Sequence, residues 1–236
     1  MQSLANTQFS IDNRGAGAAL AIDNSAPRQH ANGYLSRPSD HKPGVVVVQE
    51  WWGLVPHIKD IADRFAGQGY LSLAPDLYHG KSTVDAEEAT HLMKGLDWGR
   101  ATTELAGAVR HLREVEGCTR VGVVGFCMGG ALAMLCAAQP GVDAYAAFYG
   151  FPPEAKLDSV SAPGLIFFGE HEGFFNVGAA RAFASSQRAR GIPTEVVQYP
   201  GAGHAFFNDT RPEAYQRDAA NDAWRRTLAL FAERLR

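Results

Sequence analysis

The run Val45-Val46-Val47-Val48 constrains the fold of this chain more than any other stretch. Consecutive β-branched residues favour a strand, and a strand with no polar alternation must be covered on both faces. Ile58, Ile61, Ala62 and Phe65 follow at helical spacing, closed by Gly67 and Gly69. A second strand, Tyr70 to Ala74, is stopped by Pro75. Leu105, Val109 and Leu112 then mark one face of a helix after Trp98, Val121 to Val124 reads as strand, and Gly130 to Ala138 as a helix closed by Pro140-Gly141. Ala144 to Tyr149 and Gly164 to Phe168 are strands, Ala180 to Arg190 a helix, and Thr194 to Tyr199 a strand. The last helix lines up Ala220, Trp224, Leu228, Phe231 and Leu235.

Strands alternating with helices imply an α/β fold, with a mostly parallel central sheet and helices on both faces. Before Gly44 the chain is broken by Gly, Asn, Ser and Pro, and its short extended pieces, Gly17 to Ile22 and Gly33 to Ser36, read as an antiparallel entry to the sheet. No repeat, linker or low-complexity tract divides the chain, so residues 1–236 are expected to form one domain, with 1–17 as a peripheral extension.

Composition removes several classes of function. A net charge of −3 offers nucleic acid no electrostatic footprint. Cys118, Cys127 and Cys136 are too few and too irregular for a disulfide framework, and none forms a C-x-x-C pair for zinc. Gly15 to Ile22 is short for a secretory peptide, and no run reaches the roughly 18 apolar residues of a membrane span. The expectation is a cytoplasmic protein, monomeric or weakly self-associating, without membrane or nucleic-acid partners.

In open parallel sheets, ligands bind at the carboxyl ends of the strands, and three reactive groups fall there. Cys127 stands in Gly125-Phe126-Cys127-Met128-Gly129-Gly130. This has the G-x-C-x-G form of a nucleophile elbow, a strained strand-to-helix turn that holds the reactive side chain out of the backbone. The helix behind it points its positive end at the sulfur, which favours thiolate, and the N–H of Met128 is free to face a substrate oxygen. The bland reading is a small buried thiol, the usual fate of a free cysteine.

His204 lies in Gly201-Ala202-Gly203-His204, after the last strand. An imidazole there suits the base that a thiol nucleophile needs. His30, His41, His57, His79, His91, His111 and His171 compete, but His204 alone joins a small-residue loop to that position. Gly169-Glu170-His171-Glu172-Gly173 offers two carboxylates to orient it, and strand periodicity does not choose between Glu170 and Glu172. Gln49-Glu50-Trp51-Trp52 ends the first strand. Trp51 is placed to give the second oxyanion N–H, Glu50 is a carboxylate too costly to bury there without a purpose, and Trp52 is either a pocket wall or core.

The chain resembles the dienelactone hydrolase family of α/β-hydrolases from about Leu20 to its C-terminus. The likeness rests on Gln49-Glu50, Ala74-Pro75-Asp76-Leu77-Tyr78, the cysteine elbow, Phe148-Tyr149-Gly150, Gly169-Glu170-His171-Glu172 and Gly201-Ala202-Gly203-His204. It implies a Cys-His-acid triad cleaving small ester or lactone substrates with no metal or organic cofactor. The family motif puts the acid at Glu172, where aspartate is usual, and assigns Glu50 to hold the resting thiol and help deprotonate it. Tyr78, Tyr149 and Phe206, with Trp52, would line the substrate pocket. Family members acting on dienelactone hold its carboxylate with arginines, one of them shortly after the histidine. Here that stretch reads Ala205-Phe206-Phe207-Asn208, with Arg211 the nearest later candidate. Neutral esters or lactones are therefore the expected substrates. Two rivals use the same residues: a non-catalytic scaffold with Cys127 as a redox-sensing thiol, and an acyltransferase or thioesterase built on the same triad.

Overall fold

The computed structural model describes residues 33–38, 43–153 and 157–236. The extended piece expected at Gly17 to Ile22 and the extension 1–17 lie outside the described residues. Seven strands, β1 Gly33–Ser36, β2 Pro43–Val48, β3 Leu71–Pro75, β4 Arg120–Phe126, β5 Ala144–Phe148, β6 Gly164–His171 and β7 Thr194–Gly203, form one sheet in the order β1-β3-β2-β4-β5-β6-β7. β1 pairs with β3 antiparallel and every other pair is parallel. The α-helices among the described residues are α1 Pro56–Gly67, α2 Ala86–Lys94, α3 Trp98–Arg110, α4 Met128–Ala137, α5 Val177–Ala189 and α6 Arg217–Leu235, and a π-helical segment, His111–Val115, continues α3.

Val45 to Val48 are all fully buried, as a strand without alternation requires. Val45 and Val47 join the core under α1 and α6, while Val46 and Val48 join the core under α2, α3 and α4. Phe65 of α1 shows how tightly the first of these packs, with its ring 4.5 Å from Trp224 and 5.9 Å from Phe231 of α6. Burying such a ring stabilises by roughly 2–3 kcal/mol.

Two details depart from the sequence reading. Helix α2 was not expected, although Asp85 caps it by accepting from the Glu88 N–H, the signature of a D-x-x-E start. β6 and β7 run three and four residues past their expected ends at Phe168 and Tyr199. A register shift between Gly169 and His171 lets them continue until His171 pairs with Gly203. That extension carries the next residues, Glu172 and His204, to the same rim.

The strand order reverses between β2 and β4, because the chain places β3 outside β2 and then returns to lay β4 on its other side. A crevice opens at such a switch point, at the carboxyl ends of the two strands. Glu50 and Trp51 follow β2 there, and Cys127 follows β4.

Candidate active site

Cys127 is the turn between β4 and α4, with φ 54° and ψ −121°. A side chain at positive φ is strained, and such residues persist where the surroundings over-determine them. The surroundings do so here. The Cys127 N–H donates to the Phe148 carbonyl at 3.0 Å, and its own carbonyl accepts from Gly130 at 2.9 Å. A Cβ on Gly125 would lie 1.9 Å from the Gly129 carbonyl oxygen, and one on Gly129 2.3 Å from that of Gln49, so neither position admits another residue without moving backbone. Among the described residues, the other non-glycine positions at positive φ are His79, Tyr149 and Ala205. Tyr149 follows β5 and Ala205 follows His204, so three of the four surround one crevice.

The amides of Met128 and Trp51 face the Cys127 sulfur and draw its pKa down, as the helix-terminus argument requires. They are outweighed: burial, and then the Glu50 charge, push the thiol up to about 12. The helix end favours the thiolate, but not enough to make it the resting form. Desolvation of the charged sulfur exceeds what two partial positive charges return.

Glu50 is 1% exposed and accepts two hydrogen bonds, from the Tyr149 hydroxyl at 3.1 Å and from Asn208 Nδ2 at 2.8 Å. Its influence on Cys127 is through charge, since no hydrogen bond joins the two among the described residues. Burial and the Glu50 charge in turn hold the Tyr149 phenol well above its ordinary range.

His204 Nδ1 lies 2.9 Å from Glu172 Oε2 and 3.1 Å from Oε1, and the Glu172 side chain is completely buried. Glu170 points elsewhere, accepting from the Gly201 N–H at 2.8 Å. The ambiguity left by strand periodicity is thus resolved geometrically: Glu172 faces the histidine. Among the described residues no hydrogen bond links His204 to Cys127.

Of the expected pocket residues, Tyr78 is buried and its hydroxyl reaches Met128 Sδ at 3.5 Å. Asp76 fixes its turn, accepting from the N–H groups of Tyr78 and Gly80. Trp52 is nearly buried, edge-on to the more exposed Trp51 at 4.8 Å, and carries the Arg211 guanidinium 4.8 Å above its ring. Tyr149 and Phe206 have no exposed surface and pack 5.4 Å apart. Neither of these expected pocket residues is therefore an accessible wall: Tyr149 reaches the site through its contacts with Glu50 and His204, and Phe206 packs against it within the core. Its neighbours in sequence, small residues on one side and Phe207 on the other, gave no sign of which ring turns inward.

Two residues beside the site were not singled out from sequence. Asn208 holds Glu50, and Phe174 lies on His204 with ring centroids 4.7 Å apart. The double aromatic Phe174-Phe175 directly after Glu172 was a visible signal for the second. No three His, Cys, Asp or Glu side chains among the described residues are grouped to hold a metal ion, and no described helix is long and apolar enough to cross a membrane.

The chain as a whole is similar to proteins of one family. Residues 31–235 match the model of the dienelactone hydrolase family. The protein usf of Aquifex pyrophilus is 37% identical over 86% of this chain and 93% of its own. A protein of Aquifex aeolicus, provisionally named a carboxymethylenebutenolidase, is 32% identical over 84% of this chain and 91% of its own. The crystal structure of a provisionally assigned dienelactone hydrolase from Klebsiella pneumoniae superposes with a TM-score of 0.77 at 29% identity, covering 96% of this chain and 97% of that one.

Proposed function

Because the chain belongs to the dienelactone hydrolase family, hydrolases of carboxylic esters and lactones, we propose that Cys127, His204 and Glu172 carry out that hydrolysis through an acyl-cysteine intermediate. The observation that carries this reading is the Glu172–His204 pair, whose geometry fixes the imidazole with Nδ1–H toward the carboxylate and Nε2 free to exchange a proton.

The resting thiol, held near 12, is protonated. The amides of Met128 and Trp51 that now face the sulfur are the donors a carbonyl oxygen needs. Substrate entry turns the sulfur away from them and hands them to the carbonyl. His204 takes the thiol proton, and sulfur attacks the carbonyl carbon to form the C–S bond. As the tetrahedral adduct collapses, the C–O bond to the leaving group breaks and His204 returns the proton to the departing oxygen. Water then attacks the thioester with His204 as base, releasing the acid and the free thiol. Glu172 stabilises the imidazolium at each turn. Glu50 serves the resting state: its charge keeps the thiol protonated, which limits alkylation and oxidation between turnovers.

The substrates are small neutral esters and lactones. Asn208 occupies the stretch after His204 and is committed to Glu50, while Arg211 is paired with Glu213 at 2.8 Å and stacked on Trp52. Arg211, the guanidinium that follows His204 most closely, is thus already engaged rather than held open for a substrate carboxylate. A redox-sensing role fits less well, because sensor thiols are accessible and low in pKa. The test is intact-mass spectrometry during turnover of p-nitrophenyl acetate. A transient acetyl adduct should map to Cys127 and vanish in Cys127→Ala; turnover undiminished in that variant would rule the mechanism out.

A further inference from the structure

Phe174 is 78% exposed, yet it is held in place. Its N–H donates to Glu172 Oε1 at 2.8 Å, and the same oxygen lies 3.1 Å from His204 Nδ1. Its ring lies 4.7 Å from the imidazole, tilted by 60°. Phe175 stacks on the same imidazole at 6.0 Å and 23°, and the fully buried Tyr149 flanks it at 5.0 Å. The imidazole is thus bordered by rings, and the Phe174 ring is the one turned to solvent. A lone exposed apolar residue needs no explanation, but one pinned by the carboxylate that orients the histidine does.

We propose that Phe174 is a specificity-determining residue that receives the leaving group of the ester and favours a flat aryl alcohol over a saturated alkyl one. The inference rests on the reading of His204 as the group that protonates the departing oxygen. That proton transfer brings the leaving oxygen within hydrogen-bond reach of the imidazole. The first carbons beyond that oxygen then lie beside the ring that borders the imidazole on its open side. The carbonyl oxygen, in contrast, is held at the Met128 and Trp51 amides, and the acyl chain departs from there. A planar leaving group stacks on Phe174 with little ordering cost, because the ring's backbone is already fixed. A saturated chain gains contact area but no ring-on-ring geometry.

The experiment compares kcat/KM for phenyl acetate and ethyl acetate, and for ethyl butyrate and ethyl acetate, in wild type, Phe174→Ala, Phe174→Leu and Phe174→Trp. This ratio reports steps through acylation, so slow thioester hydrolysis does not obscure it. The phenyl-to-ethyl ratio should fall about fivefold in the Ala and Leu variants and be kept by Trp. The butyrate-to-acetate ratio should stay within about twofold. A phenyl-to-ethyl ratio unchanged in Phe174→Ala overturns the inference and leaves the site reading intact. Both ratios moving together also overturn it, since Phe174 would then act by positioning His204. Absence of any ester turnover by the wild type would overturn the site reading itself, and the inference with it.

Discussion

Asn208 donates a 2.8 Å hydrogen bond to Glu50 across 158 residues of sequence, and this contact holds a buried carboxylate beside the candidate nucleophile without placing a full positive charge there. A cation at position 208 would neutralise Glu50 and relieve the thiol of its field. An amide satisfies the carboxylate and leaves its charge in force. The Tyr149 hydroxyl does the same from the other oxygen.

Glu50→Gln should therefore make Cys127 more reactive toward alkylating agents. Glu50 raises the thiol, so removing its charge lowers the pKa from about 12 and increases the thiolate fraction at any pH below it. Iodoacetamide modification of Cys127, followed by peptide mass spectrometry at pH 8, should quicken by about tenfold for each unit of fall. An unchanged rate would mean that burial alone sets the thiol.

Glu172→Gln should lower kcat/KM by roughly 10³–10⁴-fold, the scale seen when the orienting acid of a triad is neutralised. Glu170→Gln should stay within severalfold of wild type, because Glu170 is engaged by the Gly201 N–H. Equal losses in both would overturn the assignment of the acid. Glu172→Asp tests reach: the carboxylate now stands 2.9 Å from Nδ1, and shortening it by one methylene opens that gap.

Gly129→Ala should destabilise the fold as well as impair activity. The added carbon would meet the Gln49 carbonyl at 2.3 Å and that of Val48 at 2.6 Å, forcing α4 away from the end of β2. The cost is roughly 3 kcal/mol, or about 10 °C in Tm for a chain of this size. Gly173→Ala is the control, since nothing lies within 4 Å of its added carbon. Similar Tm values for the two variants would show that the elbow relaxes freely.

The elbow and the parallel sheet were legible because both rest on local pattern: four valines buried on two faces, and glycines flanking a reactive residue at a strand end. The choice between Glu170 and Glu172 was not legible from periodicity, because it depends on how far β6 and β7 run and on the register shift that pairs His171 with Gly203. The resting protonation of Cys127 was not legible from the elbow alone, for a related reason. A helix start is visible in sequence, whereas the depth of burial and a carboxylate 77 positions earlier are not. The burial of Phe206 was not legible either: its ring packs against Tyr149 and Tyr199 in the core, and nothing in the local pattern distinguishes a ring turned inward from one lining a pocket.

His57 should make stability fall on the acid side. It is 3% exposed in the first turn of α1, and neither ring nitrogen makes a hydrogen bond, although Nδ1 lies 3.3 Å from Asp209 Oδ1. Burial lowers its pKa, with Arg64 acting in the same direction, against the opposing charges of Glu50, Asp209 and Asp60. A base whose folded-state pKa lies below its unfolded value contributes no loss above about 6.5, where both states are neutral. Below that pH the unfolded chain takes up the proton first, and stability declines until the folded-state pKa is passed. His57→Phe keeps the ring and removes the titration. Urea midpoints at pH 7.5 and pH 5 should therefore show the variant gaining on wild type at the lower pH. A constant difference at the two pH values would show that His57 keeps the same pKa folded and unfolded.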